Sequence, residues 1–198
     1  ENMTLDQRIT ISSMATEMGA IILLFPPSDK IIEYSRNRSK KSFVPVFADP
    51  GATYTKTFDI DMNVFKQMVS RPGAPHDTVN IEEVSGQKID SGFIGSCTNG
   101  RMEDMWKTAD ILKGRKVAAG VVLKIVPATD AIWNNCLEDG LIDIFKKAGA
   151  LVSNAGCAGC AAGQVGQNGL GEVTISTGNR NFPGKQGKGN VFLSSPEV

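Results

Sequence analysis

Beyond residue 78, short apolar runs rich in β-branched residues alternate with segments of helical period, and this alternation limits the fold more than any other feature of the chain. Gly92–Gly95 and Val117–Val126 read as buried strands, and Leu151-Val152 and Glu172–Ser176 as two more. Arg101–Leu112 is expected to be helical. Cys136–Ala148 has helical spacing too, with Leu137, Leu141, Ile144 and Phe145 on one face. A parallel return between strands needs a long crossover, most often a helix lying on the sheet. The expected fold class is therefore α/β: parallel sheets with helices on both faces, in three layers.

The earlier part reads less regularly. Ser12 or Ser13 is expected to cap a helix running through Met18, and Ala20–Phe25 to form a short buried strand. Ser28 is expected to cap a helix over Lys30–Arg36, and Tyr54–Ile60 alternates like a strand. Residues 70–90 contain Arg71-Pro72-Gly73-Ala74-Pro75 and read as a linker, which puts a domain boundary near 78 and domains at 1–78 and 79–198. The chain lacks an initiator Met and stops just after a strand-like run beginning at Asn190, so a piece of a longer polypeptide is expected.

Composition narrows the classes of function. With 41% hydrophobic residues among 198, the chain has material for a real core. Its 21 basic and 21 acidic residues cancel, which gives no support to broad nucleic-acid or membrane-surface binding. No apolar run approaches the ~20 residues of a membrane span, and the N-terminal residues do not form a secretory signal. Four cysteines are too few for a disulfide scaffold, so a reducing, cytoplasmic location is expected.

Three segments carry chemistry, each where an expected strand ends, the usual ligand-binding edge of an α/β sheet. In Gly95-Ser96-Cys97-Thr98-Asn99-Gly100-Arg101, a cysteine follows a buried strand at the mouth of a helix, where backbone N–H groups favour a thiolate. Buried small hydrophobes are as common a use of such a cysteine. Gly156-Cys157-Ala158-Gly159-Cys160-Ala161-Ala162-Gly163 offers two thiols to one centre: zinc, an iron–sulfur cluster or a redox disulfide. Zinc normally wants a second pair or histidines, and His76 is the chain's one histidine. In Ser176–Lys188, Arg180, Lys185 and Lys188 gather among glycines and amides. A solvated basic loop is the common use of such charge, but the Asn179-Arg180-Asn181 run favours an anion site, Arg forking a carboxylate and Lys adding a point charge.

Together these segments resemble the aconitase family, which includes aconitase, homoaconitase and the large subunit of 3-isopropylmalate dehydratase. Ser96-Cys97-Thr98-Asn99 resembles the family's first cluster motif and Gly156-Cys157-x-x-Cys160 its second, 60 residues on. Ser176–Gly187 is similar to its Ser-x-x-Asn-Arg-Asn-Phe-x-Gly-Arg loop. Arg8-Ile9-Thr10-Ile11 with Met14, Glu17, Gly19 and Ala20 is similar to an earlier stretch, Met-Thr-Ile-x-Asn-Met-x-x-Glu-x-Gly-Ala. The resemblance covers nearly the whole chain.

The resemblance implies a [4Fe–4S] cluster held by Cys97, Cys157 and Cys160, with one iron left to the substrate. It implies that Glu17 assists protonation, that Asn179 lies near the cluster sulfurs, and that Arg180 and Lys185 hold substrate carboxylates. Ser13 stands where the family usually has Asn, and Lys185 where it has Arg, so Ser13 reaches less far and Lys185 lacks the fork. Cys136 matches no motif and is read as structural. The implied activity is a hydro-lyase that shifts a hydroxyl on a small hydroxy-carboxylic acid. 3-Isopropylmalate is the preferred substrate, with citrate, homocitrate and dimethylmalate as alternatives. The implied domains are the C-terminal part of one aconitase-like domain (1–78) and most of the cluster-bearing domain (79–198). The family's other site residues come from a preceding domain and from a small subunit or swivelling domain, so this piece alone is expected to be inactive. Two other classes are an RNA-binding regulator without its cluster, which neutral charge disfavours, and a zinc-bearing or purely structural module.

Overall fold

The structure, a computed structural model, describes residues 3–198. The chain divides into two compact units at Phe65/Lys66, so the second unit begins earlier than the expected boundary near 78.

In the first unit, α1 (Leu5–Ser13) starts at Thr4, whose hydroxyl accepts the Gln7 N–H while the Gln7 side chain accepts the Thr4 N–H. That reciprocal cap starts the helix well before the expected Ser12/Ser13 cap, and Ser13 ends it instead. A single 3-10 turn, Thr16–Met18, follows and carries Glu17. α2 (Asp29–Arg38) begins after Ser28, as its sequence suggests. The expected strands Ala20–Phe25 and Tyr54–Ile60 are not formed. Their side chains find no core (Ile21 is 98% exposed), and no neighbouring strand among the described residues pairs with their backbone. An alternating pattern becomes a strand only when a partner satisfies its N–H and C=O groups.

The second unit is built on one seven-stranded sheet. Its elements are β1 (Met68–Ser70), β2 (Thr78–Asn80), β3 (Ser91–Gly95), the helical turn α3 (Ser96–Asn99), α4 (Met102–Leu112), β4 (Val122–Val126), α5 (Asp130–Glu138), α6 (Leu141–Ala148), β5 (Leu151–Val152), β6 (Val173–Ser176) and β7 (Asn190–Leu193). The order is β2-β1-β7-β6-β3-β4-β5. Strands β3 to β7 run parallel, and β1 is antiparallel to both β2 and β7. The stretch read as a linker is thus the β1–β2 hairpin. Its turn is closed by a two-pronged Arg71–Asp77 pair (Nη2–Oδ1 2.6 Å, Nε–Oδ2 3.0 Å), which holds the Asp77 carboxyl below its usual range.

Two expected elements changed length. The strand expected over Val117–Val126 starts only at Val122, because Ala118–Val121 forms a turn (Val121 N to Ala118 O, 3.1 Å). The helix expected over Cys136–Ala148 is two helices. Gly140 takes a left-handed conformation between them, so Cys136 sits in α5 and Phe145 in α6.

The order of the strands decides the layers. The chain steps outward from β3 to β4 to β5, then returns past β3 to β6 and moves on to β7. Right-handed crossovers in opposite directions fall on opposite faces of a sheet. On one face Ile125, Ile94 and Leu123 pack with Met105 and Ala109 of α4, Ile132 and Cys136 of α5, and Leu141 and Phe145 of α6. On the other, Phe93 and Val126 pack with Ala158. The return connections lie on this second face as loops, so a loop layer stands where helices were expected. The fold is α/β with a mostly parallel sheet.

Candidate functional site

Neighbouring strands β3 and β6 are where the chain's direction of travel reverses, the switch point beside which α/β sheets bind ligands. The β3 loop carries Cys97 and the β6 loop carries Asn179, Arg180 and Lys185. The connection leaving β5 brings Cys157 and Cys160 to the same edge, where the Gly156 N–H donates to the carbonyl of Pro127, just past β4 (3.1 Å).

Both cysteine loops are bent at non-glycine residues with positive φ, and these are the two such residues among those described: Ser96 (φ 76°), before Cys97, and Ala158 (φ 41°), after Cys157. Such conformations persist where surrounding structure imposes them, and they gather at functional sites. The β3 loop is imposed from Gly95 (φ 143°, ψ −143°), where a Cβ would lie 2.1 Å from the Val126 carbonyl oxygen. Buried Thr177 pins this corner to β6: its hydroxyl accepts the Gly95 N–H (2.9 Å), its own N–H donates to Phe93 O (2.9 Å), and its carbonyl accepts from the Asn99 amide.

The structure brings Cys97, Cys157, Cys160 and Asn179 together. Partial burial, then the adjacent thiols of Cys160 and Cys97, push the Cys157 thiol up to about 11. Its surface remains open to solvent, so a thiol-binding group has access but must displace protons to bind. The Cys160 thiol points at Asn179 Oδ1 (3.9 Å), and Cys97 Sγ lies 3.8 Å from Thr98 Oγ1. Arg180 and Lys185 are half-buried in the same loop. Glu17 and Ser13 belong to the first unit, on the 3-10 turn and at the end of α1. Cys136 is fully buried in the helix-side core, Sγ 3.9 Å from Met102 Sδ, and burial followed by Asp139 pushes its thiol up to about 11.

A sequence model of the aconitase family (aconitate hydratase) matches residues 1–88 and 82–198. This chain belongs to the aconitase family. It is 42% identical over 99% of its length to a 3-isopropylmalate dehydratase large subunit of Clostridium kluyveri, covering 47% of that protein. It is 40% identical over 99% of its length to a probable 3-isopropylmalate dehydratase large subunit of Methanothermobacter thermautotrophicus, covering 47%. A 3-isopropylmalate dehydratase large subunit 1 of Pyrococcus abyssi is 39% identical over all of this chain and is covered to 48%. The chain spans about half the length of the curated relatives it matches.

The donor set bears on what such a family member holds. Among the described residues, no three His, Cys, Asp or Glu side chains are grouped tightly enough for a single metal ion. Three thiols carried on two loops are the kind of donor an iron–sulfur cluster takes. Where the second loop passes the sheet, a Cβ on Gly159 would sit 3.2 Å from the Phe93 ring and 3.3 Å from the Gln186 amide, so the turn lies as close as a side-chain-free residue allows.

Several residues of this site were not singled out from sequence. Thr177, Gln186 and Asn168 are buried polar residues, and Gln167 is partly buried. Ser91 and Thr174 join β3 to β6 through their hydroxyls (2.8 Å), and the Asn168 amide donates to Thr174 Oγ1 (3.2 Å). The available signal was Thr174 and Ser176 at alternate positions of β6, where a doubly covered strand should be apolar.

Proposed function

We propose that this chain is part of a [4Fe–4S]-dependent hydro-lyase that reversibly dehydrates a small hydroxy-carboxylic acid, most closely 3-isopropylmalate in leucine biosynthesis. Citrate, homocitrate and dimethylmalate are the competing substrates. The observation that carries the reading is the convergence of Cys97 on the Cys157 thiol across 60 residues of sequence, at the switch point of the sheet. In this reading the first unit is the C-terminal part of one aconitase-like domain and the second, from Lys66 rather than from 79, most of the cluster-bearing domain. The protein works in a reducing, cytoplasmic compartment.

Cys97, Cys157 and Cys160 would hold the cluster. When bound, it supplies a Lewis acid at the iron that no protein atom ligates, against which a hydroxyl can leave. The protein's own groups do the rest. Arg180 forks one substrate carboxylate, and Lys185 adds a point charge toward a second. Asn179, buried against Cys160, orients its amide toward the ligand sulfurs. Glu17 moves the proton lost or gained at carbon, and Ser13 donates one hydrogen bond to the acid. The partner is a small subunit or a swivelling domain that completes the site.

The test is anaerobic reconstitution of the full-length chain with iron and sulfide. Wild type is expected to gain visible charge-transfer absorption and stoichiometric sulfide, and Cys97→Ser, Cys157→Ser and Cys160→Ser to lose both. Equal failure of wild type and Cys157→Ser to take up a cluster would refute the reading.

A further inference from the structure

We propose that Gln167 is a positioning residue that locks the Cys157–Cys160 turn to the Asn179–Lys185 loop, so that ligand sulfurs and anion-binding side chains are held as one body. The inference rests on the iron–sulfur reading above. The Gln167 amide nitrogen donates to the carbonyl of Gly159, between the two cysteines, at 2.7 Å, and reaches the carbonyl of Lys185 at 3.5 Å. One side-chain group thus touches the backbone of both loops.

The bridge is anchored from behind. Lys124 on β4 donates its Nζ to the Gln167 carbonyl at 2.8 Å. Gln186, 3% exposed, donates its amide to Gly166 O (3.0 Å) and accepts the Ser176 hydroxyl of β6 (2.9 Å). The Asn168 N–H donates to the Gln186 carbonyl (2.8 Å). Residues 166–168 are thereby fastened to two strands of the sheet, and Gln167 passes that rigidity to the cysteine turn. The turn needs it. Cys160 N reaches Cys157 O at only 3.4 Å and Ala158 is held at positive φ, so the turn is weakly bonded and strained between the two cysteines, although the Ala161 N–H closes its far end on Ala158 O at 2.8 Å. Removing the donor at the Gly159 carbonyl frees the centre of this strained turn, which its flanking contacts at Gly156 and Cys160 do not reach. Gln167 touches no sulfur in the structure, so its effect is on geometry rather than on ligation.

The experiment uses Gln167→Met, similar in length and without a donor, in the full-length chain. Loss of one such hydrogen bond is expected to speed cluster release to an iron chelator about fivefold. In the cluster-free chain, alkylation by iodoacetamide mapped by mass spectrometry is expected to rise at Cys157 and Cys160. It should stay unchanged at Cys136, the fully buried thiol that reports general unfolding. If Cys136 becomes reactive in the Met variant, Gln167→Asn, whose donor is too short to reach Gly159, carries the same comparison. Release and alkylation at wild-type rates in a folded variant would overturn the positioning role. Failure of wild type itself to load a cluster would instead overturn the functional reading.

Discussion

Replacing Gly95 with Ala tests whether the corner before Cys97 is imposed by the sheet. Two costs add. The backbone at φ 143°, ψ −143° lies in a region that L side chains rarely adopt, which costs about 1–3 kcal/mol. The new Cβ would also stand 2.1 Å from Val126 O and 2.8 Å from Val126 C, both backbone atoms of the paired strand. Relief requires β3 and β4 to part at the Gly95↔Val126 end of their register, which strains the Thr177 hydrogen bonds there as well. Two weakened hydrogen bonds add about 2 kcal/mol, for a total near 4 kcal/mol against a domain stability of roughly 5–15 kcal/mol. Gly92→Ala is the internal control. Its φ is ordinary, and its Cβ would meet only the mobile end of Leu123, at 2.9 Å, so about 1–2 kcal/mol is expected. Urea unfolding followed by Trp106 and Trp133, the chain's two tryptophans and both in the second unit, measures the difference. Equal losses from the two variants would show that the corner is not held as described.

Phe145→Ala empties a fully buried position among α4, α5 and β4 and should cost about 3–5 kcal/mol in the same unfolding assay. Thr129→Ala removes the hydroxyl that accepts the Ile132 N–H at the start of α5 (3.3 Å) and should cost about 1 kcal/mol, with little change in urea dependence. For Cys157, burial and the neighbouring thiols favour the neutral form in the folded chain. Its alkylation in the cluster-free protein should keep rising as pH climbs through about 11, and stability should fall over the window between the ordinary thiol value and that point, where the folded state holds the extra proton. A Cys157 alkylation profile that levels off at the ordinary thiol value would contradict this assignment.

Much of the second unit was legible because its signals are local. The β-branched run ending at Val126 had to be a buried strand, the Arg101–Leu112 period had to be a helix, and Gly95-Ser96-Cys97 and Cys157-x-x-Cys160 could be marked as chemistry from residue types alone. What failed was equally physical. The alternation in Ala20–Phe25 and Tyr54–Ile60 states a preference that only a paired strand could fulfil, and none is formed there. The β1–β2 hairpin hid behind prolines and glycines that also suit a linker. Asp139-Gly140 broke a helix whose apolar spacing ran straight across it.

By itself the amino-acid sequence marked candidate residues for metal and anions and determined the α/β class of the unit that carries them, because both rest on residue chemistry and short-range period. Only the tertiary structure decided that β6 returns beside β3. That ordering is a long-range choice among strands with similar patterns, settled by how the whole sheet buries its two faces. It brings Cys97 beside a turn 60 residues away, and it makes buried amides such as Gln186 part of the site.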